Sequence, residues 1–310
     1  MFKKIIAVFF TILLGIVFVF SGYTKLYPIE PFEYTFVDLG FINWQEAPLV
    51  ARLMIALEFL IGLLLIFQFN LKIFTYKIAI GVLVFFCIYL SLLMSLVGNK
   101  GNCGCFGTYF YMTPMQALIK NLIMLTILFL LYRTHQGWSF NKKMNAGFTI
   151  FISLGVISIP FILNPIELDY SAAYLNKPES NYKLELDSLY KDATLTVPPK
   201  TLSTGKHVIA FMSLTCPHCR IASKKMRIMH ERNPAIPFYF VLNGDDENLS
   251  YFFEDTGTMD IPHCKLNGKS FVYLAGTTMP YIALINNSMV EFEVNYFDLN
   301  QDEIEKWLKK

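Results

Sequence analysis

The sequence predicts an α-helical membrane bundle, with four core helices and a fifth connecting span, followed by a separate α/β domain. Three observations carry that reading. The chain has 310 residues, 54% of them hydrophobic and only 16% charged, which is too apolar for an ordinary soluble protein and long enough for two domains. Between Ile5 and about Leu163 the apolar residues form runs that approach the roughly 20 helical residues needed to cross a hydrocarbon core. After Asn164 the composition turns polar and mixed, and strand-like runs alternate with helix-like ones.

Five spans are predicted, at about 5–24, 49–69, 77–97, 115–132 and 147–163, the last two short. Arg52 and Glu58 interrupt the second without abolishing it. Cations set the orientation, because cytoplasmic loops hold an excess of Lys and Arg. Lys3 and Lys4 precede the first span, Lys72 and Lys77 lie at the second turn, and Arg133, Lys142 and Lys143 fall between the fourth and fifth. These segments are expected in the cytoplasm. Segment 26–48, the stretch Gly98–Met112 and everything after Leu163 are then expected outside a bacterial inner membrane, in the compartment where disulfides persist. A cleavable signal peptide is the alternative for residues 1–20, but no small-x-small site follows and the helix pattern continues through Ser21-Gly22-Tyr23-Thr24-Lys25-Leu26. The net charge of +2 is near balance and no stretch gathers Lys and Arg with aromatics, so nothing asks for nucleic acid.

The fourth span has a legible start. Thr113-Pro114-Met115-Gln116 supplies a capping Thr, a Pro at the first helical position and a Gln three residues after the cap, so a helix should begin at Pro114. That holds the loop Gly101-Asn102-Cys103-Gly104-Cys105-Phe106-Gly107 close to the outer face. Its glycines let the backbone turn tightly enough for an i, i+2 disulfide between Cys103 and Cys105, a ring small enough to be strained and readily reduced.

The run Asn102-Cys103-Gly104-Cys105-Phe106-Gly107 after a third span, with Ser21-Gly22-Tyr23-Thr24-Lys25-Leu26 ending the first, resembles the DoxX and MauE group of redox-associated membrane proteins over roughly residues 1–135. The resemblance implies a four-helix membrane domain tied to disulfide formation or electron transfer outside the cytoplasm; MauE itself is linked to maturation of methylamine dehydrogenase. By architecture alone the chain is also similar to bacterial vitamin K epoxide reductase homologues, which carry a membrane CxxC beside a bound quinone. This chain has CxC in that place, so a membrane quinone is a possible cofactor only by that analogy.

Residues 136–164 hold the fifth span, and 165–200 read as a linker, because Pro165, Pro178, Pro198 and Pro199 interrupt any long helix. Beyond it, 201–310 shows a strand over His207–Leu214, a helix from Pro217 to about Arg232, a strand over Ile236–Leu242, an insertion-like stretch, a strand over Met279–Ile285 and a closing helix over Asp302–Lys309. An apolar strand entering Cys216-Pro217-His218-Cys219 and then a helix resembles a thioredoxin-like active site. Cys216, at the cap of a helix whose first turn holds Pro217, is the expected nucleophile, since free amides and the helix dipole favour its thiolate. Cys219, one turn in, is the expected resolving thiol. His218 between them either lends positive charge to Cys216 or is an exposed filler. Pro280 sits where thioredoxin-like proteins place a cis-proline, and the resemblance implies that Met279 presents backbone groups to an extended substrate; an ordinary strand-opening proline is the alternative. Zinc binding by the CxxC is disfavoured, as no second ligand pair has suitable spacing.

Glu58, mid-span, is either a proton relay or an interhelical hydrogen-bonding group. Cys87 reads as a packing residue and Cys264 as buried and inert. The expected function is a membrane thiol–disulfide oxidoreductase in which Cys103 and Cys105 exchange electrons with Cys216 and Cys219, acting on extracytoplasmic thiol or disulfide proteins. Cys105, nearer the start of the fourth span, is the expected point of attack on the loop. A membrane-anchored assembly protein for thiol-containing clients and an accessory subunit of a respiratory complex are the alternatives.

Overall fold

The computed structural model describes residues 2–38, 40, 42–99, 103–107, 109–137, 142–166 and 180–310. Gly101 and Asn102 of the cysteine loop, and 167–179 of the linker with Pro178, lie outside the described residues. The chain divides into two compact units, Met1–Ile166 and Glu167–Lys310.

In the first unit, the helices are α1 (Phe2–Leu26), α2 (Glu30–Asp38), α3 (Ala47–Ile66), α4 (Tyr76–Val97), α5 (Pro114–Thr134) and α6 (Lys142–Leu163). Among the described residues, four segments are long and apolar enough to cross a bilayer: Lys3–Leu26, Ala47–Ile66, Leu71–Ser95 and Pro114–Thr134. Their outer faces carry exposed Phe9, Ile16, Phe85, Ile88, Ile123 and Phe129, as a lipid solvent permits, while Leu14, Phe18, Ile61, Leu65, Leu83 and Leu128 pack between them. α1 and α3 meet almost backbone to backbone. A Cβ on Gly62 would lie 2.7 Å from the Gly15 carbonyl oxygen, so no side chain fits at this crossing. Helix α5 starts at Pro114, with the Thr113 hydroxyl accepting from the Gln116 amide and the Gln116 side chain accepting from the Thr113 amide.

Arg52 is buried without breaking α3 because the short α2 supplies its counter-ion. Its guanidinium donates to Glu33 at 2.6 Å, to Pro48 O at 2.8 Å and to Asn164 O at 2.7 Å. Helix α6 lies along α3, packing Val156 and Ile152 against the cluster of Ile55, Leu60 and Leu64. Its apolar part, Thr149–Leu163, is shorter than the four spans. Yet the Asn70 side chain donates to Thr149 at one end of α3, and Arg52 reaches Asn164 at the other.

In the second unit, β1 (Tyr182–Lys183), α7 (Asp187–Asp192), β2 (Lys206–Ser213), α8 (Pro217–Arg232), β3 (Phe238–Asn243), α9 (Glu247–Thr256), β4 (His263–Lys265), α10 (Lys269–Ala275), β5 (Tyr281–Asn286), β6 (Met289–Val294) and α11 (Gln301–Lys309) build one six-stranded sheet and its covering helices. The order is β1-β6-β5-β2-β3-β4, with β2, β3 and β4 parallel and β5, β6 and β1 running antiparallel to their neighbours. Central strand β2 buries both faces, which explains its unbroken run Val208-Ile209-Ala210-Phe211-Met212. Ile209 and Phe211 enter one core with Tyr239, Val241 and Phe271. Met212 turns to the other face, where the Ser223 hydroxyl of α8 meets its sulfur.

Part of the expected linker belongs to this domain. β1 pairs with β6 through Tyr182↔Val290, and Leu184, Leu186 and Leu189 are buried in the core. The proline count hid this, because the apolar residues that anchor the segment are too scattered to show a period. The insertion-like stretch is α9, β4 and α10, and a further strand, β6, follows β5 through a two-residue turn at Asn287 and Ser288, both with positive φ.

Candidate functional sites

Cys216 stands at the junction of β2 and α8 with extended backbone, as the cap residue of the helix. Its Sγ accepts from the Cys219 amide at 3.4 Å, and Pro217 fills the position where an amide would have no partner. Cys219 is buried, and its Sγ accepts from the Ser213 amide at 3.4 Å. The two thiols share a proton unequally. The hydrogen bond from the Cys219 thiol, aided by the amides of Cys219 and His218 and by the charge of His218, lowers Cys216 to about 6 against the effect of burial. That same hydrogen bond, burial and the neighbouring Cys216 charge push Cys219 far up. Cys216 is therefore the group that ionises near neutral pH, and it is also the half-exposed one.

Two elements remote in sequence complete this site. The ring of His218 stacks on Tyr296, centroids 5.1 Å apart and planes at 22°, so a residue following β6 fixes the imidazole. Sequence reasoning missed Tyr296, which no local motif marks. The Met279–Pro280 peptide is cis and leads into β5, whose Tyr281 pairs with Phe211 of β2. Pro280 thus lies at the end of the sheet from which Cys216 follows; it is buried, and Met279 is half-buried against the core.

In the membrane unit, Cys103 and Cys105 are both buried in the loop before α5. The Cys103 amide donates to Met112 O at 2.9 Å, closing the loop, and the Ser21 hydroxyl of α1 donates to Cys105 O at 3.0 Å. Gly107 presses so closely on α1 that a Cβ there would fall 2.0 Å from Thr24 O, at a positive φ of 57°. Hydrogen bonding from the Cys103 thiol, with the charges of Lys120 and Lys25, lowers Cys105 to about 7 despite its burial, and Cys103 is pushed up in turn. Beneath Cys105, the Lys25 ammonium donates to Glu58 at 2.5 Å and to Ser21 Oγ at 3.0 Å. Glu58 therefore has an interhelical ion-pair partner, which the sequence left unnamed.

A cavity of about 20 Å³, room for one water, is bounded by Ser21, Lys25, Glu58, Cys105, Lys120 and Asn121 among others. Cys264 is buried beside Tyr239, and burial pushes its thiol up to about 11. Cys87 sits half-buried on α4. Among the described residues, no three His, Cys, Asp or Glu side chains gather as a metal site.

The βαβ unit β2-α8-β3, the antiparallel hairpin β5-β6, the closing helix α11 and a Cys-Pro-His-Cys at the α8 N-terminus together make a thioredoxin-like domain, here following a helical membrane domain. Residues 3–133 match the family model described as methylamine utilisation protein MauE. Over most of its length the chain is similar to Protein TlpB of Flavobacterium psychrophilum, 28% identical over 359 aligned positions that cover 91% of this chain and 96% of that one. Among solved structures, the matches include a secreted Mycobacterium tuberculosis disulfide oxidoreductase homologous to E. coli DsbE, with TM-score 0.31 and 17% identity over 38% of this chain and 92% of that chain. Another is the thioredoxin domain of a thiol-disulfide oxidoreductase from Bacteroides vulgatus, with TM-score 0.29 and 14% identity over 34% of this chain and 81% of that chain.

Proposed function

We propose that this chain is an integral membrane thiol–disulfide oxidoreductase whose loop pair, Cys103 and Cys105, exchanges electrons with Cys216 and Cys219. The observation that carries it is the placing of half-exposed Cys216 as the cap residue of α8, its Sγ accepting from the Cys219 amide at 3.4 Å with the buried Cys219 thiol one turn in, which favours a Cys216 thiolate near neutral pH beside a second thiol. In the reducing direction, the Cys216 thiolate bonds to one sulfur of a protein disulfide and the other sulfur leaves with the electron pair. Cys219, giving up its proton, then attacks Cys216, and the client leaves as a dithiol while the domain becomes a disulfide. Run backwards, the same steps oxidise a client. Backbone groups of Met279, at the cis-proline beside the β2 end, would hold the extended client segment, and His218 would tune Cys216.

Both pairs are assigned to the extracytoplasmic side of a bacterial inner membrane. Lys3, Lys4, Lys72 and Arg133 favour one face as cytoplasmic. The placement of the thioredoxin-like domain hangs on whether α6 crosses. Its hydrogen bonds with Asn70, just past the C-terminal end of α3, and with Arg52, near the other end, support a crossing: the partners, Thr149 on α6 and Asn164 at its end, are 15 positions apart, about 22 Å at 1.5 Å per residue, which is most of the hydrocarbon thickness. A quinone enters no step of this mechanism. The cavity beside Cys105 admits one water, whereas small-molecule sites span a few hundred Å³.

The test uses sealed right-side-out vesicles holding the full chain, pre-reduced and freed of reductant. They should reduce an added disulfide-bonded protein that cannot cross the bilayer, and Cys216→Ser should abolish the transfer. Transfer only from inside-out vesicles would put the domain in the cytoplasm. Failure in both orientations would leave an anchored binder of thiol-containing clients as the better reading.

A further inference from the structure

The segment Ser21–Leu26 of α1 has no part in the exchange steps above, yet its polar side chains converge under the cysteine loop. Lys25 is buried at the outer end of α1 and is held from two sides, by Glu58 of α3 at 2.5 Å and by Ser21 Oγ at 3.0 Å. The Ser21 hydroxyl in turn donates a hydrogen bond to the Cys105 carbonyl, so one chain of hydrogen bonds ties Glu58, Lys25 and Ser21 to the loop at Cys105. Lys25, Glu58 and Cys105 line the same cavity, joined from α5 by Lys120, whose ammonium also lies over the Phe106 ring at 4.4 Å.

Burying an ammonium in a membrane protein is costly, and a single carboxylate would neutralise it. Glu58, however, gives Lys25 only one oxygen; the other, Oε2, is buried without a hydrogen-bond partner among the described residues. With Lys120 added, the cavity holds two cations against one carboxylate, so it carries a net positive charge until a thiolate forms at its wall. The charged and titratable groups around Cys105 are Lys25 on α1, Glu58 on α3, Cys87 and Tyr89 on α4, Lys120 on α5 and Cys103 in its own loop.

We propose that Lys25, fixed by Glu58 and Ser21, acts with Lys120 to make Cys105 the leaving thiolate of the Cys103–Cys105 disulfide, so that an incoming thiolate attacks Cys103. This rests on the loop pair being redox-active as described above, and it reverses the expectation from position that Cys105 is the point of attack. Disulfide attack is faster when the departing sulfur is the better-stabilised thiolate. In the step, the sulfur of an external thiolate bonds to Cys103 Sγ and the Cys103–Cys105 bond breaks. The electron pair stays on Cys105 Sγ, in the residue that lines one cavity with Lys25 and Lys120, and no proton moves. The attacking thiol is oxidised into the mixed disulfide and Cys105 is reduced. A second thiolate, Cys219 when the attacker is Cys216, then releases Cys103. Lys25 acts as a positioning charge and forms no bond.

The experiment uses the full chain with Cys216→Ser and Cys219→Ser, oxidised and then treated with limiting glutathione, quenched in acid and mapped by peptide mass. Glutathione should be found on Cys103 at least about tenfold over Cys105; an equal split, or a majority on Cys105, overturns the inference. A second measurement follows alkylation of Cys105 against pH in the reduced protein carrying Cys103→Ser. Adding Lys25→Met should raise the midpoint by about one unit or more, a tenfold loss of thiolate below it, since Glu58, which opposes the thiolate, then stays without its cation, whereas Lys25→Arg should hold it near its starting value. An unmoved midpoint overturns the inference. If the Lys25→Met variant fails to fold, the glutathione map of the otherwise unaltered loop decides alone. A loop that never forms a disulfide on oxidation overturns the proposed function and the leaving-group role together, and the Cys105 midpoint still decides whether Lys25 is its charge partner.

Discussion

The two cysteine pairs reach the same electrostatic asymmetry by different means. In each pair the first cause is the hydrogen bond from the partner thiol, and the difference lies in what is added to it: in the thioredoxin-like domain a helix N-terminus adds the amides of Cys219 and His218, which converge on Cys216, and all the parts lie within four consecutive residues. In the membrane unit the addition to the Cys103 hydrogen bond is charge from elsewhere in the fold, Lys120 from α5 and Lys25 from α1. Exposure differs as well. Cys216 is half-exposed, whereas both loop thiols are buried. A thiolate built from backbone amides can face clients, because amides hold it wherever the helix is exposed. One built from side-chain cations needs those cations kept out of water, where screening would weaken them.

The largest effect expected from breaking this contrast comes from the membrane side. Glu58→Leu strands Lys25 as an uncompensated buried cation and should destabilise the membrane unit by about 3–5 kcal/mol, seen as lost monodispersity on heating, while the second unit keeps its own melting transition. Equal loss in both units would show that Glu58 is not specific to the membrane site. Next in size is the split within the CxxC. Because its pKa is lowered to about 6, alkylation of Cys216 should rise with pH through 6 and then level off, whereas Cys219 stays protonated across the neutral range and reacts about a hundredfold more slowly at pH 7. Matching profiles would remove their distinct roles. The smallest effect concerns His218, whose charge does least to hold the Cys216 thiolate. His218→Ala should move the Cys216 midpoint up by less than about one unit and slow alkylation at pH 6 by a few-fold; a shift of two units would make the imidazole, not the amides, the main source of the thiolate.

What the sequence reveals follows the same division. The CxxC, its capping position and the strand before it are local and are readable from Phe211 to Arg220, and the start of α5 is readable from Thr113 to Gln116. The four long spans are legible from composition alone. The Lys25–Glu58 pair is not, since its members are 33 positions apart on helices whose facing no local pattern fixes. Arg52 looks like a flaw in a span until Glu33 on α2 is seen to answer it. Strand β4 has only three residues, His263-Cys264-Lys265, and gives no period, whereas β6 alternates openly in Met289-Val290-Glu291-Phe292-Glu293-Val294, a signal hidden only by the short turn before it.

The central claim is that the two pairs exchange with each other, and Cys219→Ser tests it most directly. Without the resolving thiol, Cys216 should be caught in a disulfide with the membrane loop of the same chain, and two dithiols tethered in one polypeptide should meet far more often than free partners. Non-reducing electrophoresis and peptide mapping of the full chain in membranes should then show an intramolecular Cys216–Cys103 crosslink that reductant releases. If Cys216 forms only intermolecular adducts while Cys103 and Cys105 remain untouched, the exchange between the pairs does not occur.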